Sequence, residues 1–363
     1  MSKSILVVTH GMGEHTASAT EAKIIKAANI ALSRYPSSKD VKFENHVDIV
    51  SIGYDDIFEV ERERIKQANE PISAYFQSHS NLPASFIQHI VSLESQIDKD
   101  TFFTTHILDV LLYAGLHGQR VRLRLAEKFA EAMATRTQQQ KVHVLAHSLG
   151  TAAMHDTLAC LYGGGIKDPE TGISYSYTPN ELRLDSLWMV SNVSNLLYSV
   201  NRKLLGTSLN PLSTKVKPSR DNTGCTEYFY NVFHEYDPFN LFYRFDPKAD
   251  EGWVTVRAYQ RNYVRMETER FTHSANPHDL VGYLSNPNVA IQFLDRVMPQ
   301  GSFSVNDTEV EKAHQQVKDV YQGVKAIKNY VSAMDSFDDM KGLLLMLKDY
   351  RMFIESLFDD DDE

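Results

Sequence analysis

Cysteine is scarce in this chain: Cys160 and Cys225 are the two present in 363 residues. Nothing in their spacing demands a bridge, which argues against a disulfide-stapled scaffold and for a reducing compartment. Long apolar runs are missing too. The longest, at 107–113 and 343–347, contain or adjoin charges and fall well short of the roughly 18 residues that a membrane-spanning helix needs. No stable membrane insertion is therefore expected. Met1-Ser2-Lys3-Ser4 runs straight into an apolar strand and leaves no room for a signal peptide, so the expected location is the cytoplasm. Positive charge is outweighed: the formal net charge is −10 and the basic residues are scattered. That excludes the basic patch of a nucleic-acid binder. Metal-ligand spacing is also lacking, because His143, His147 and His155 spread over a strand, a turn and a helix and match no zinc pattern. The segment 11–16 has neither the third glycine of a dinucleotide fingerprint nor a P-loop lysine. The expectation is a protein with no metal and no cofactor.

What is present is material for a core, with 42% hydrophobic residues, patterned as strands alternating with helices. Ile5-Leu6-Val7-Val8 is the compact apolar run of a strand buried on both faces. Residues 18–35 have helical period, with Ala22, Ile25, Ala28 and Leu32 inward, and 47–54 read as the next strand. The two strands and their helix make a βαβ unit, and hence a doubly wound, mostly parallel sheet. The stretch 55–104 is helical and interrupted by Pro71 and Pro83. It is long for a crossover and suits a lid or insertion. Its patch Phe86, Ile87, Ile90 and Val91 serves either an acyl pocket or the core. A long helix covers 109–135. Strands are predicted at 142–145, 184–190 and 226–233, and as a pair at 253–259 and 264–271. These elements make residues 1–300 the sheet domain. Helical stretches at 310–334 and 337–357 form an extension over 301–357, and 358–363 is an acidic tail. The extension has three uses open to it: packing on its own domain, pairing into a homo-oligomer, or holding a partner.

The chemistry concentrates at Ala146-His147-Ser148-Leu149-Gly150, where the strand at 142–145 turns into a helix. A serine flanked two positions away by small residues suits a strained turn that projects its hydroxyl above a sheet. The plain alternative is that Ser148 merely caps the helix. Thr9-His10-Gly11-Met12, after the first strand, can present the Met12 amide, which with the Leu149 amide would make an oxyanion hole. Asp237 follows the strand 226–233 and precedes Pro238; Asp246 is its competitor. His278 directly precedes a helix and competes with His273 for the role of base. Asp185 and Asp279 read as surface or cap residues. His10 reads as a brace for the oxyanion loop or an ordinary buried histidine, and His147 as pocket wall; both are candidates for touching substrate. The order Ser148, Asp237, His278 is the serine–acid–histidine order of one hydrolase fold.

With these motifs together, residues 1–300 resemble the lipase- and serine-esterase-like bacterial members of the α/β-hydrolase superfamily. The resemblance rests on Thr-His-Gly-Met-Gly-Glu at 9–14, Ala-His-Ser-Leu-Gly-Thr at 146–151, Tyr-Asp-Pro at 236–238 and Pro-His-Asp-Leu-Val-Gly-Tyr-Leu at 277–284. It implies Ser148 as nucleophile, His278 as base, Asp237 as its partner, and Met12 and Leu149 as oxyanion donors. The implied activity is cleavage of a small-molecule or lipid acyl ester. A thioesterase, amidase or acyltransferase would use the same three side chains, and a scaffold acting through its C-terminal helices is the alternative of another class.

Overall fold

The computed structural model of the chain describes residues 2–11, 16–68, 71–79, 108–195, 215–235, 237, 244–245, 247, 253–272, 277–315 and 317–319. The first strand, β1 (Ser4–Thr9), is buried along its whole length. It is flanked by β2 (Val47–Ile52) on one side and β3 (Val142–His147) on the other, both parallel to it. Beyond the two-stranded ribbon of β4 (Ile166–Lys167) and β5 (Ser174–Tyr175), the sheet continues through β6 (Leu184–Val190), β7 (Thr226–Phe233) and β8 (Tyr263–Glu267). The order is β2-β1-β3-β6-β7-β8 and every neighbouring pair is parallel. Chain order reverses between β1 and β3, so the loops leaving those two strands open a crevice at their carboxyl ends. This doubly wound sheet is the architecture of the α/β-hydrolase fold.

Strand alternation divides the core in two. Ile5, Val7, Val142, Val144 and Ala146 face one layer, and Leu6, Val8 and Leu145 the other. The first layer is closed by α2 (Asp55–Ala68), α4 (Gly118–Ala134) and α5 (Leu149–Gly163); α3 (Ile72–His79) follows α2 in sequence. The second is closed by α1 (Ala17–Ser33), α7 (Leu280–Ser285) and α8 (Pro287–Val297). Between these, α6 (Val256–Asn262) leads into β8, and α9 (Asp307–Gln315) packs near α8.

Several expectations need correction. The inward stripe of α1 is Thr20, Ile24, Ala27, Ala28, Ala31 and Leu32, while Ala22 is exposed. Alanine occurs on both sides of this helix and marks neither. The helix expected over 109–135 is continuous from 108 to 134 but contains a π turn at Tyr113–His117. Residues 253–259 are not a strand. Thr255 caps α6 by accepting from the Ala258 amide at 3.3 Å, and a parallel β7–β8 pair requires a crossover of this kind. The strand expected to reach Phe271 stops at Glu267, and Phe271–Thr272 instead pair antiparallel with Lys318–Asp319. Of the helix predicted over 310–334, the part up to Gln315 is helical and Lys318–Asp319 form that pairing instead, while 320–334 lie outside the described residues. In the 55–104 stretch, α2 and α3 are helical as expected, whereas Phe86, Ile87, Ile90 and Val91 lie outside the described residues, as do 337–357 and the acidic tail. Cys160 and Cys225 are both free thiols.

His143 and His234 couple this core to pH. Burial drives the His143 pKa down to about 3, with the Lys141 and Arg296 charges acting in the same direction. Burial likewise lowers His234 to about 4, against the pull of Asp237 and Glu235. In the unfolded chain both titrate near 6.5. Below that pH the unfolded chain takes up protons that the folded chain refuses. Stability should therefore fall by about 1.4 kcal/mol per pH unit for each histidine, down to its folded pKa. Urea unfolding at pH 7, 5 and 4 measures this slope, and His143→Gln should flatten it. An unchanged slope in that variant would remove His143 from the account.

Candidate active site

β3 ends at His147 and α5 begins at Leu149, so a single residue, Ser148, makes the whole turn. It does so at φ 56°, ψ −131°, left-handed backbone that costs a non-glycine residue on the order of 1–3 kcal/mol. The surroundings hold it there. Its amide donates to Val190 O at 3.0 Å, and its carbonyl accepts from the Thr151 amide at 2.8 Å and the Thr151 hydroxyl at 2.7 Å. Thr151 Oγ1 in turn accepts from the Val193 amide at 2.9 Å, tying the elbow to the loop after β6. The Ser148 side chain makes no capping bond to α5. The capping alternative therefore fails, and the hydroxyl is directed elsewhere.

Small neighbours let the turn close. A Cβ on Gly11 would lie 2.6 Å from Ser148 Cβ. One on Gly150 would collide with the His10 carbonyl oxygen and stand 3.0 Å from Thr9 Cγ2 and O. Alanine for glycine inside a helix ordinarily stabilises by roughly 0.5–1 kcal/mol. Here the obstacle is backbone at the end of β1, so Gly150→Ala should instead destabilise by about 2 kcal/mol in denaturant unfolding. A more stable variant would mean that β1 is not pressed against the elbow.

His278 Nε2 lies 2.9 Å from Ser148 Oγ, across 130 residues of sequence. On its other side, Nδ1 is 2.8 Å from Asp237 Oδ2. A carboxylate at Nδ1 keeps the proton on that nitrogen and leaves Nε2 to accept from the serine hydroxyl. Asp237 has no exposed surface. Burial would raise its pKa, but the His278 charge and hydrogen bonds from His278, Ser191 and Tyr283 outweigh it and hold the carboxyl at about 2. It is thus ionised at any ordinary pH. Its position follows from β7, which ends at Phe233 and turns back so that the Asp237 amide donates to His234 O at 3.1 Å.

The other expected residues fall as follows. Leu149 opens α5, so its amide is one of the first-turn N–H groups with no acceptor inside the helix. Met12, its expected companion, lies outside the described residues, as do the competitors His273 and Asp246. His10 is buried and stacks on Tyr54 at 4.5 Å. Its Nδ1 is 2.7 Å from Gly11 O, its Nε2 accepts weakly from the Tyr54 amide, and its carbonyl accepts from the Tyr54 hydroxyl at 2.9 Å. Burial, the largest influence, lowers its pKa and keeps it neutral. It braces the chain just after β1. His147 turns its Nε2 to the His278 carbonyl at 3.1 Å, with ring centres 4.8 Å apart. Asp279 caps α7, accepting from the Gly282 amide at 3.1 Å, and Asp185 accepts from the Val142 amide at 2.9 Å.

Sequence reasoning missed two side chains at this site. The Tyr283 hydroxyl donates to Asp237 Oδ2 at 2.6 Å, and Ser191 Oγ lies 3.2 Å from His278 Nδ1. Ser191 sits just past β6 at φ 51°, a second strained serine beside the first. Tyr283 lay within a quoted motif but carried no local sign of a role, and Ser191 offered none. Among the described residues, no group of three His, Cys, Asp or Glu side chains is arranged to hold a metal ion. The three histidines considered for one stand apart: His143 Nδ1 is 2.7 Å from Ser186 Oγ, and His155 Nδ1 is 3.7 Å from Asp156. Nor is any helix among the described residues long and apolar enough to cross a membrane.

No protein-family model matches the sequence, and no curated protein does. Among solved structures, the chain is similar to the crystal structure of Zea mays acyl-protein thioesterase 2, with a TM-score of 0.33 at 11% sequence identity. That similarity covers 77% of this chain and 90% of the maize chain. At this distance nothing about activity passes from one protein to the other.

Proposed function

We propose that the protein is a serine hydrolase that cleaves carboxylic acyl esters through an acyl-enzyme on Ser148. The observation that carries this reading is the continuous hydrogen-bonded line from Ser148 Oγ through His278 to a buried, ionised Asp237, mounted on a strained strand-to-helix turn. In the reaction, Ser148 Oγ attacks the acyl carbon while its proton passes to His278 Nε2. The Leu149 amide, together with that of Met12, stabilises the charge developing on the carbonyl oxygen. Collapse breaks the bond to the alcohol, which leaves with the proton from Nε2. Water then repeats the sequence on the acyl-enzyme, returning the acid and free Ser148. Asp237 fixes the imidazole tautomer throughout and stabilises the imidazolium.

The same chemistry accepts a thioester or an amide, or delivers the acyl group to an acceptor other than water. Ester cleavage is the reading adopted because the motifs at 9–14, 146–151, 236–238 and 277–284 resemble those of serine esterases. A panel of p-nitrophenyl acyl esters, the matching thioesters and anilides, with alcohol acceptors added, separates these outcomes. The direct test is a fluorophosphonate probe: one adduct per chain is expected, located by mass spectrometry on Ser148. A protein that resists the probe and turns over no short or medium acyl ester would end the hydrolase reading. The scaffold alternative would then have to be tested by cutting the chain after about residue 301 and following partner binding.

A further inference from the structure

Three of the side chains around Asp237 direct hydrogen bonds toward it, although activating His278 requires one. Tyr283 O–H and His278 Nδ1 converge on the same oxygen, Oδ2, at 2.6 and 2.8 Å. Both the tyrosine and the aspartate are buried, so no bulk water shares the carboxylate's load. Tyr283 stands five residues after His278 on α7, whose first turn Asp279 caps and whose Tyr283 amide donates to Asp279 O at 3.0 Å. One short capped helix therefore carries the residue that grips the base's partner and begins where the base ends.

We propose that Tyr283 is a positioning residue for the reaction at Ser148: its hydroxyl holds the Asp237 carboxylate in the plane that presents Oδ2 to His278 and draws off part of its charge. The proposal rests on the hydrolytic reading of the site given above. The physical argument has two parts. A carboxylate removed from water needs donors to replace those it lost, and an O–H···O⁻ bond of this length is among the stronger ones. A donor that shares Oδ2 with the imidazole also weakens the carboxylate's pull on a proton at His278. The phenol itself stays a donor, since burial first and the Asp237 charge second push its pKa well above 10.

The other titratable groups facing this set are His147, whose ring neighbours those of His278 and Tyr283; His234, three residues before Asp237; and Glu235, paired with Arg244. Replacing tyrosine by phenylalanine adds or removes no charge among them. Tyr283→Phe should lower kcat about tenfold or more with KM changed less than about twofold. The acid limb of kcat/KM, and the His278 titration midpoint followed by NMR of the imidazole, should both move up by about half a pH unit. In an Asp237→Asn background the same change should have no further effect on kcat, because both act through one oxygen. If Tyr283→Phe folds poorly, 3-fluorotyrosine at 283 keeps the hydroxyl and makes it a stronger donor, and the midpoint should then move down. An unchanged midpoint and unchanged kcat in a protein that reacts with the fluorophosphonate probe would overturn the role of Tyr283 alone. A wild-type protein inert to the probe would overturn the hydrolytic reading, and the catalytic consequence of Tyr283 with it, whatever the midpoint does.

Discussion

Replacing Ser148 by alanine is expected to lower ester turnover by about 10⁶-fold. The hydroxyl removed is the only group of the hydrogen-bonded line that can form the bond to the acyl carbon. His278 Nε2 lies 2.9 Å from that hydroxyl, so the substitution takes away the group the imidazole is placed to activate. Residual catalysis would come from amides and binding alone. The variant should fold, because Ser148 is held by its backbone bonds to Val190 and Thr151 and makes no cap with its side chain. The one cost is the left-handed φ, which alanine tolerates no better than serine. Steady-state hydrolysis of a p-nitrophenyl ester, with thermal unfolding alongside, measures both. Turnover within tenfold of wild type would place the nucleophile elsewhere.

The second large effect belongs to Asp237→Asn, expected to reduce kcat by about 10⁴-fold. The amide fits the space of the carboxylate, and its oxygen can still accept from His278 and Tyr283. What disappears is the negative charge that stabilises the imidazolium as the serine proton arrives. The amide can also rotate to present its NH₂ group to His278, which would force the proton onto Nε2 and block the serine. KM should change little, since the residue is sealed from solvent on the far side of the imidazole. A kcat within tenfold of wild type would show that Asp237 serves structure alone. Acid does not mimic this variant at moderate pH. With the carboxyl held at about 2, the aspartate loses its charge only in strong acid, well after His143 and His234 have begun to cost stability.

The parts of the fold that could be read from sequence are those where one local pattern allows one outcome. The run Thr226–Phe233 is rich in aromatic and β-branched residues, and it is a strand to the residue. The elbow was legible because small residues at 146 and 150 flank a serine between a strand and a helix, although the backbone that Gly150 must clear, at Thr9 and His10, lies far away in sequence. Misreadings came where local preference was outvoted. Trp253 to Val256 look like strand residues, yet Thr255 caps a helix because two parallel strands on either side need a crossover. The face of α1 was misjudged because alanines surround it, and the end of α9 because Lys318 and Asp319 find their partners at Phe271 and Thr272, nearly fifty residues earlier.

The candidate site divides in the same way. Ser148, Asp237 and His278 could be nominated from sequence because the first two stand just past recognisable strands, the third just before a helix, and the three fall in a telling order. Nothing in the sequence determines that their atoms meet within 3 Å, since the partners are 41 and 130 residues apart. Their meeting depends on the parallel order β3-β6-β7, which brings the ends of those strands to one rim. Tyr283 and Ser191 were invisible for that reason. A hydroxyl donating to a buried carboxylate leaves no periodicity and no spacing, and it acquires a role only when packing removes the water that would otherwise take its place. Local sterics and apolar pattern thus settled where the chain turns and where a nucleophile can be displayed, whereas only the tertiary structure decided which side chains stand around it, because hydrogen bonds act over a few ångströms of space and are indifferent to distance along the chain.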